Sequence, residues 1–177
     1  MLPFRTTQSG ARTYGHVPQV APEAYLHTFH AGATSEQLMQ LGEQLGRAVP
    51  EYWQGALLAC NGVVLFVRCL SLCGVLTDGL MRRTGDPAPH SLWEANRGQR
   101  PRGRAVRGDD FVVGSLVIVN DVSVYVLRSD DTLARVDRTG RKLQREWDTL
   151  DELLIDEYEE LGRLYKAGQI LRPRPRE

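Results

Sequence analysis

The side chains able to act as nucleophiles, bases or metal ligands are few and scattered: His16, His27, His30 and His90, with Cys60, Cys69 and Cys73. A cysteine and a histidine could together supply a nucleophile and its base. No GxSxG, HExxH or cysteine-peptidase signature surrounds any of them, so no catalytic residue is assigned and the chain is not expected to be an enzyme. Cys69 and Cys73 would share one face of a strand, and two soft ligands could begin a metal site. With no histidine or third cysteine beside them they read as buried structural thiols, and neither a metal nor a cofactor is expected. The histidines, each alone in loop-like sequence, read as solvated side chains.

Carboxylates offer a second kind of chemistry. Asp109-Asp110 and Asp130-Asp131 are adjacent pairs of the sort a glycosidase or a magnesium site uses, although acids flanking strands commonly form turns and protect sheet edges. Asp148, Asp151, Glu152, Asp156, Glu157, Glu159 and Glu160 form a run that no basic residue interrupts. A helix dipole favours acids in the first turn only, so it does not account for the later ones. Asp151, Asp156 and Glu159 are therefore candidates for a partner-binding face, with Asp130 and Asp131 as additions.

The opposite charge gathers elsewhere. Arg82, Arg83, Arg97, Arg100, Arg102, Arg104 and Arg107 stand among Gly and Pro, with Asp86 and Glu94 the only acids between them. That segment could meet phosphate, but it lacks the interleaved aromatics that stack on single-stranded bases, and no GxGxxG or GxxxxGK[ST] loop follows a predicted strand. Across all 177 residues Lys plus Arg balance Asp plus Glu at 22 each, which gives no bulk pull toward nucleic acid or anionic lipid. Direct binding of nucleic acid is not expected. The opening Met1-Leu2-Pro3-Phe4-Arg5-Thr6-Thr7 lacks the apolar core of a secretory signal, and runs such as Val63 to Val67 are too short to span a bilayer. The three cysteines form no CxxC pair. A cytoplasmic protein with no membrane association is expected.

Local pattern supplies the elements that must position these groups. Thr34 with Gln37 has the form of a capping box, and Leu38, Leu41 and Leu45 follow at helical spacing, predicting a helix over 35–47. Pro50 suits a first helical position, Trp53, Leu57 and Cys60 then share a face, and Asn61-Gly62 would close that helix in left-handed backbone. Val63-Val64-Leu65-Phe66-Val67 and Leu70-Ser71-Leu72-Cys73-Gly74-Val75 read as strands. A long basic connection over 82–107 is broken by a short helical piece at 91–95. Phe111 to Val119, a turn at Asn120-Asp121, and the alternation of Val122, Val124 and Val126 make a hairpin. Turns at 129–131 and at Thr139-Gly140 extend it to an antiparallel meander. Thr149 with Glu152 caps a last helix whose stripe is Leu150, Leu153, Leu154, Tyr158, Leu161 and Tyr165. Trp53, Leu57, Leu153 and Tyr158 are the predicted core anchors. Residues 1–33 show no firm pattern, 34–166 form one domain, and 167–177, with its alternating Arg and Pro, reads as a disordered tail.

The order of these motifs resembles the SUKH superfamily. Leu41-Gly42, Val49-Pro50-Glu51-Tyr52-Trp53, Leu57-Leu58 and Asn61-Gly62 look like that family's helix, Val/Leu-Pro step, aromatic helix and Asn-Gly. Phe111-Val112-Val113-Gly114-Ser115, Tyr125-Val126-Leu127, Val136-Asp137 and the segment from Trp147 to Tyr158 look like its Gly-Ser strand, meander and acidic closing helix. The likeness covers roughly 36–162. It departs in having the single Gly62 before Val63, in the arginine-rich insertion and in the first 33 residues.

The resemblance implies an α+β fold, a single domain with a central, largely antiparallel sheet flanked by helices. It also implies the role of a bacterial immunity protein that binds and neutralises a cognate toxin, with no catalytic residues to carry over. Fungal relatives act as cell-wall regulators and scaffolds. A non-enzymatic scaffold module and, from a different class, a nucleic-acid-binding protein using the arginine-rich segment stay open as alternatives.

Overall fold

Among the described residues nine strands run in one sheet in the order of the chain, each antiparallel to its neighbours. The structure, a computed structural model, describes residues 4–76, 88–97, 101–119 and 121–171. The strands are β1 (Phe4–Thr6), β2 (Arg12–His16), β3 (Tyr25–Phe29), β4 (Val63–Leu65), β5 (Leu70–Leu72), β6 (Phe111–Ile118), β7 (Asp121–Leu127), β8 (Leu133–Asp137) and β9 (Leu143–Trp147). Helices α1 (Ser35–Leu45) and α2 (Glu51–Ala59) lie between β3 and β4, α3 (Leu92–Arg97) between β5 and β6, and α4 (Leu150–Lys166) after β9. This is an α+β single domain with its sheet flanked by helices. Among the described residues no helix is long and apolar enough to cross a membrane.

Both capping signals set their helices. Thr34 accepts from the Gln37 amide while Gln37 Oε1 accepts from the Thr34 amide at 2.8 Å, so two otherwise orphaned donors are satisfied. α1 stops at Leu45, two residues short of expectation. Gly46 turns left-handed at φ 65° and the Arg47 amide reaches back to the Gly42 carbonyl, a Schellman-type end. Thr149 accepts from the Glu152 amide, but the Glu152 carboxylate turns to the Asp148 amide. The Leu150 amide donates to Tyr52 Oη at 2.7 Å, which ties the start of α4 to α2.

Several local expectations are corrected. Pro50 is the N-cap of α2, because its ψ of 138° is extended, and the helix begins at Glu51. Asn61 does not end the helix in left-handed backbone. It is buried, and its side chain bonds both backbone groups of Val75, accepting from the amide at 2.6 Å and donating to the carbonyl at 2.8 Å. A Cβ at Gly74 would overlap the Asn61 carbonyl, so the two segments can approach this closely only at a glycine. β4 ends at Leu65, because Phe66, Val67 and Arg68 take positive φ in the turn to β5.

The segment 1–33, for which the sequence shows no firm pattern, supplies β1, β2 and β3. Within the segment expected as a tail, 167–177, Ile170 is only 4% exposed and packs in the core. Residues 172–177, Asn120 of the β6–β7 turn, 82–87 and 98–100 of the basic connection, and 77–81 before it lie outside the described residues.

One principal apolar cluster fills the interior. Leu38 and Leu41 of α1, Trp53 and Leu57 of α2, Leu70, Phe111 and Leu127 of the sheet, and Leu153 and Leu161 of α4 all belong to it, and Cys69 and Cys73 are buried with them. Trp53, Leu57 and Leu153 are the anchors expected. Tyr158 is not: it is 47% exposed. Leu153, Glu157 and Leu161 are four residues apart and share the inward face of α4, and Tyr158 lies about 100° around the helix from Glu157.

Candidate partner-binding surface

The acidic run of α4 divides three ways. Glu157, 1% exposed, points into the protein and pairs with Arg135 of β8 at 2.7 Å. Burial raises its carboxyl above the ordinary range, and the Arg135 guanidinium opposes that rise. Asp156 turns sideways to β9, where its Oδ2 accepts from Trp147 Nε1 at 2.8 Å and pairs with Arg145. Of the three acids proposed on α4, then, Asp156 is occupied in holding α4 to the sheet edge. Asp151 and Glu159 are exposed, and they bracket Ile155 and Tyr158 on the outward face. At 100° per residue, positions 151, 155, 158 and 159 fall within one quadrant or little more.

The turn acids are separate from this face. Asp130 is committed to its own turn, where Oδ1 accepts from the Thr132 hydroxyl at 2.6 Å and from its amide at 3.2 Å. The Thr132 bonds hold its carboxyl below the usual range. Asp131 takes left-handed backbone at φ 64° in the same turn. No hydrogen bond or ion pair joins either residue to α4 among the described residues.

Sequence reasoning missed what Tyr158 leads to. Its ring packs on His27 and on Phe66, with centroids 5.5 Å away in each case. Beside it opens a cleft of about 740 Å³ between the first strands and α4. Strand register builds the floor. Arg12 pairs with Phe29 and Tyr14 with His27 across β2 and β3, and alternation puts all four side chains on one face. Phe4 of β1 joins that face through Tyr14, at 5.6 Å between ring centroids, and Tyr14 meets Phe29 edge-on at 5.7 Å. The alternation of Arg12, Tyr14 and of His27, Phe29 was the available signal, weakened by the left-handed Gly15 inside β2.

His27 and His30 are buried in this region, contrary to the solvated reading. Burial lowers both imidazoles, and for His30 burial with the nearby His90 brings the value down to about 4. Both rings are neutral at pH 7. Cys60 also lines the cleft, but its Sγ donates to the carbonyls of His30 and Gly62 at 3.3 Å, and burial raises its thiol. It is therefore held as a thiol with carbonyl partners rather than as a thiolate beside an imidazole. Among the described residues no group of three or more His, Cys, Asp or Glu side chains is placed to hold a metal ion.

Three of the four described arginines of the basic connection gather. Arg97, Arg102 and Arg107 line a smaller pocket of about 310 Å³, with Arg97 stacked on Trp93 at 4.9 Å. Asp110, buried at the foot of this loop, accepts from the Arg107 amide at 2.8 Å and shapes the turn into β6. The paired acids Asp109-Asp110 thus serve a turn at this strand end.

No protein-family model matches the chain, and no curated protein matches it in sequence.

Proposed function

We propose that this chain is a cytoplasmic immunity protein that binds a toxin protein and blocks it by direct contact. The observation that carries the reading is the outward face of α4. Ile155, 59% exposed, and Tyr158 form an apolar centre with Asp151 and Glu159 beside it, and Tyr158 continues that centre into the aromatic floor of β1–β3. An apolar middle with a charged rim is the usual build of a protein-binding patch. Toxins that act on nucleic acid must present a basic cleft, and clustered carboxylates speed and orient association with one. The order of motifs that resembles the SUKH superfamily points the same way.

The test is binding to the toxin encoded beside this chain, measured at two salt concentrations. Asp151→Asn with Glu159→Gln should slow association and flatten its salt dependence. Ile155→Glu should raise the dissociation rate. Unchanged affinity in both variants would remove α4 from the interface and overturn the reading. The arginine-lined pocket supports a second reading, nucleic-acid binding. A steep loss of affinity for nonspecific DNA or RNA with added salt would favour it.

A further inference from the structure

The cleft beside Tyr158 has the size and lining of a small-molecule site. Its volume of about 740 Å³ lies within the range of roughly 300 to 1,000 Å³ common for such sites. Three rings, Tyr14, Phe29 and Tyr158, stand around it, and stacked or edge-on contacts with them favour a flat aromatic body. Among the described residues Arg12 is the one cation that lines it, and no carboxylate does. Arg12 is exposed and has no ion-pair partner among the described residues, so its planar guanidinium is open to a carboxylate in the two-pronged geometry it favours.

The floor adds an independent observation. His30 lines the cleft, is 3% exposed, and has neither ring nitrogen hydrogen-bonded; His27 beside it has an unpartnered Nδ1. A buried polar atom without a partner is costly, and because these nitrogens are sealed from solvent a ligand hydroxyl relieves that cost only by drawing an imidazole toward the cleft. A neutral imidazole can both donate to such a group and accept from it. One positive charge, on the exposed Arg12, and uncharged polar imidazoles specify a ligand with one negative charge and a hydrogen-bonding group at some distance from it.

We propose that this cleft is a binding site for a small aromatic carboxylate, its ring among Tyr14, Phe29 and Tyr158 and its carboxylate on Arg12. The site lies at one end of the surface assigned above to the partner, but it needs no partner to form. Its test is therefore separate from the test of toxin binding.

The experiment titrates three probes that share one ring into the full chain, followed by calorimetry and by the NMR signals of His27 and His30. The probes are 4-hydroxyphenylacetate, its neutral amide, and the cation tyramine. The acid should bind about tenfold or more tightly than the amide, the factor expected of one charge-assisted hydrogen bond, and tyramine more weakly than either. Arg12→Gln, at an exposed position, should bring the acid to the level of the amide. Tyr158→Ala should weaken acid and amide alike. Equal affinity for acid and amide, a preference that survives Arg12→Gln, or no binding of the acid at about 10 mM would each overturn the proposal.

Discussion

Trp147 donates its indole N–H to Asp156 at 2.8 Å, so the last residue of the sheet and the second turn of the closing helix are joined by a single carboxylate. Arg145 pairs with the same oxygen. Asp156 therefore acts on the fold, whereas Asp151 and Glu159, on the same helix, are exposed. Asp156→Asn should lower stability by about 1.5–3 kcal/mol, the usual worth of a hydrogen bond to a charged group. Asp151→Asn and Glu159→Gln should each stay within about 0.5 kcal/mol. Denaturant melts of the three single variants distinguish them, and equal losses would show that Asp156 has no structural part.

Arg135 and Glu157 should behave as a buried pair. Removing one partner leaves the other charge in the interior, so Glu157→Leu or Arg135→Met alone should cost about 3–5 kcal/mol. The double variant should recover part of that loss, because neither charge is then left alone in the interior, while the buried Tyr125 hydroxyl that faces both groups keeps a residual cost. A double-mutant cycle in urea measures the coupling, and strictly additive losses would contradict it.

Asn61 should be among the least replaceable polar residues. Asn61→Ala strips partners from both the amide and the carbonyl of Val75, at about 1–3 kcal/mol for each group left unsatisfied. Asn61→Asp keeps the acceptor, loses the donor and buries a charge, so it should be no better. Equilibrium unfolding of both variants checks this, and an Asn61→Ala protein as stable as the parent would disprove it.

Acid should weaken the fold through His30. Its folded value is lowered to about 4 from 6.5, so the unfolded chain takes up a proton first as pH falls. The contribution is complete above about 6.5 and is lost as pH drops toward 4, amounting to about 2 kcal/mol between pH 7 and pH 5. His30→Leu should flatten the stability profile across that window by a similar amount. A profile of unchanged slope would mean that His30 does not carry the effect.

Much of the architecture is legible in short-range pattern. Thr34 with Gln37 and Thr149 mark two helices, and the alternation of Val122, Val124 and Val126 marks the central hairpin. What escapes is set by distant partners. Glu157 looks like one more surface acid until Arg135, 22 residues away, is seen beside it. Its position four residues from both Leu153 and Leu161 was a signal in plain view, outweighed by the charge of its neighbours. β1, β2 and β3 are short and carry polar residues on both faces, so no apolar alternation announces them. The cleft is only faintly legible for the same reason: Arg12 alternates with Tyr14 and His27 with Phe29, but the four meet only once β2 and β3 are in register.

The strand order also orders the kinetics. Every strand pairs with its neighbour in the chain, but β3 must wait for α1 and α2 before it meets β4, and β5 must wait for α3 before it meets β6. The sheet is thus three local blocks, β1–β3, β4–β5 and β6–β9, joined by two long loop closures. Such closures are slow relative to hairpins, because their entropy must be lost before any contact compensates it. The long hairpins of β6–β9 give that block the best start as a folding nucleus, and β1–β3, short and solvent-exposed at the edge, should dock last and open first. Backbone amides of β2 and β3 would then exchange with deuterium ahead of those in β6 and β7. The cleft would come and go with the first block while the rest of the sheet stays closed.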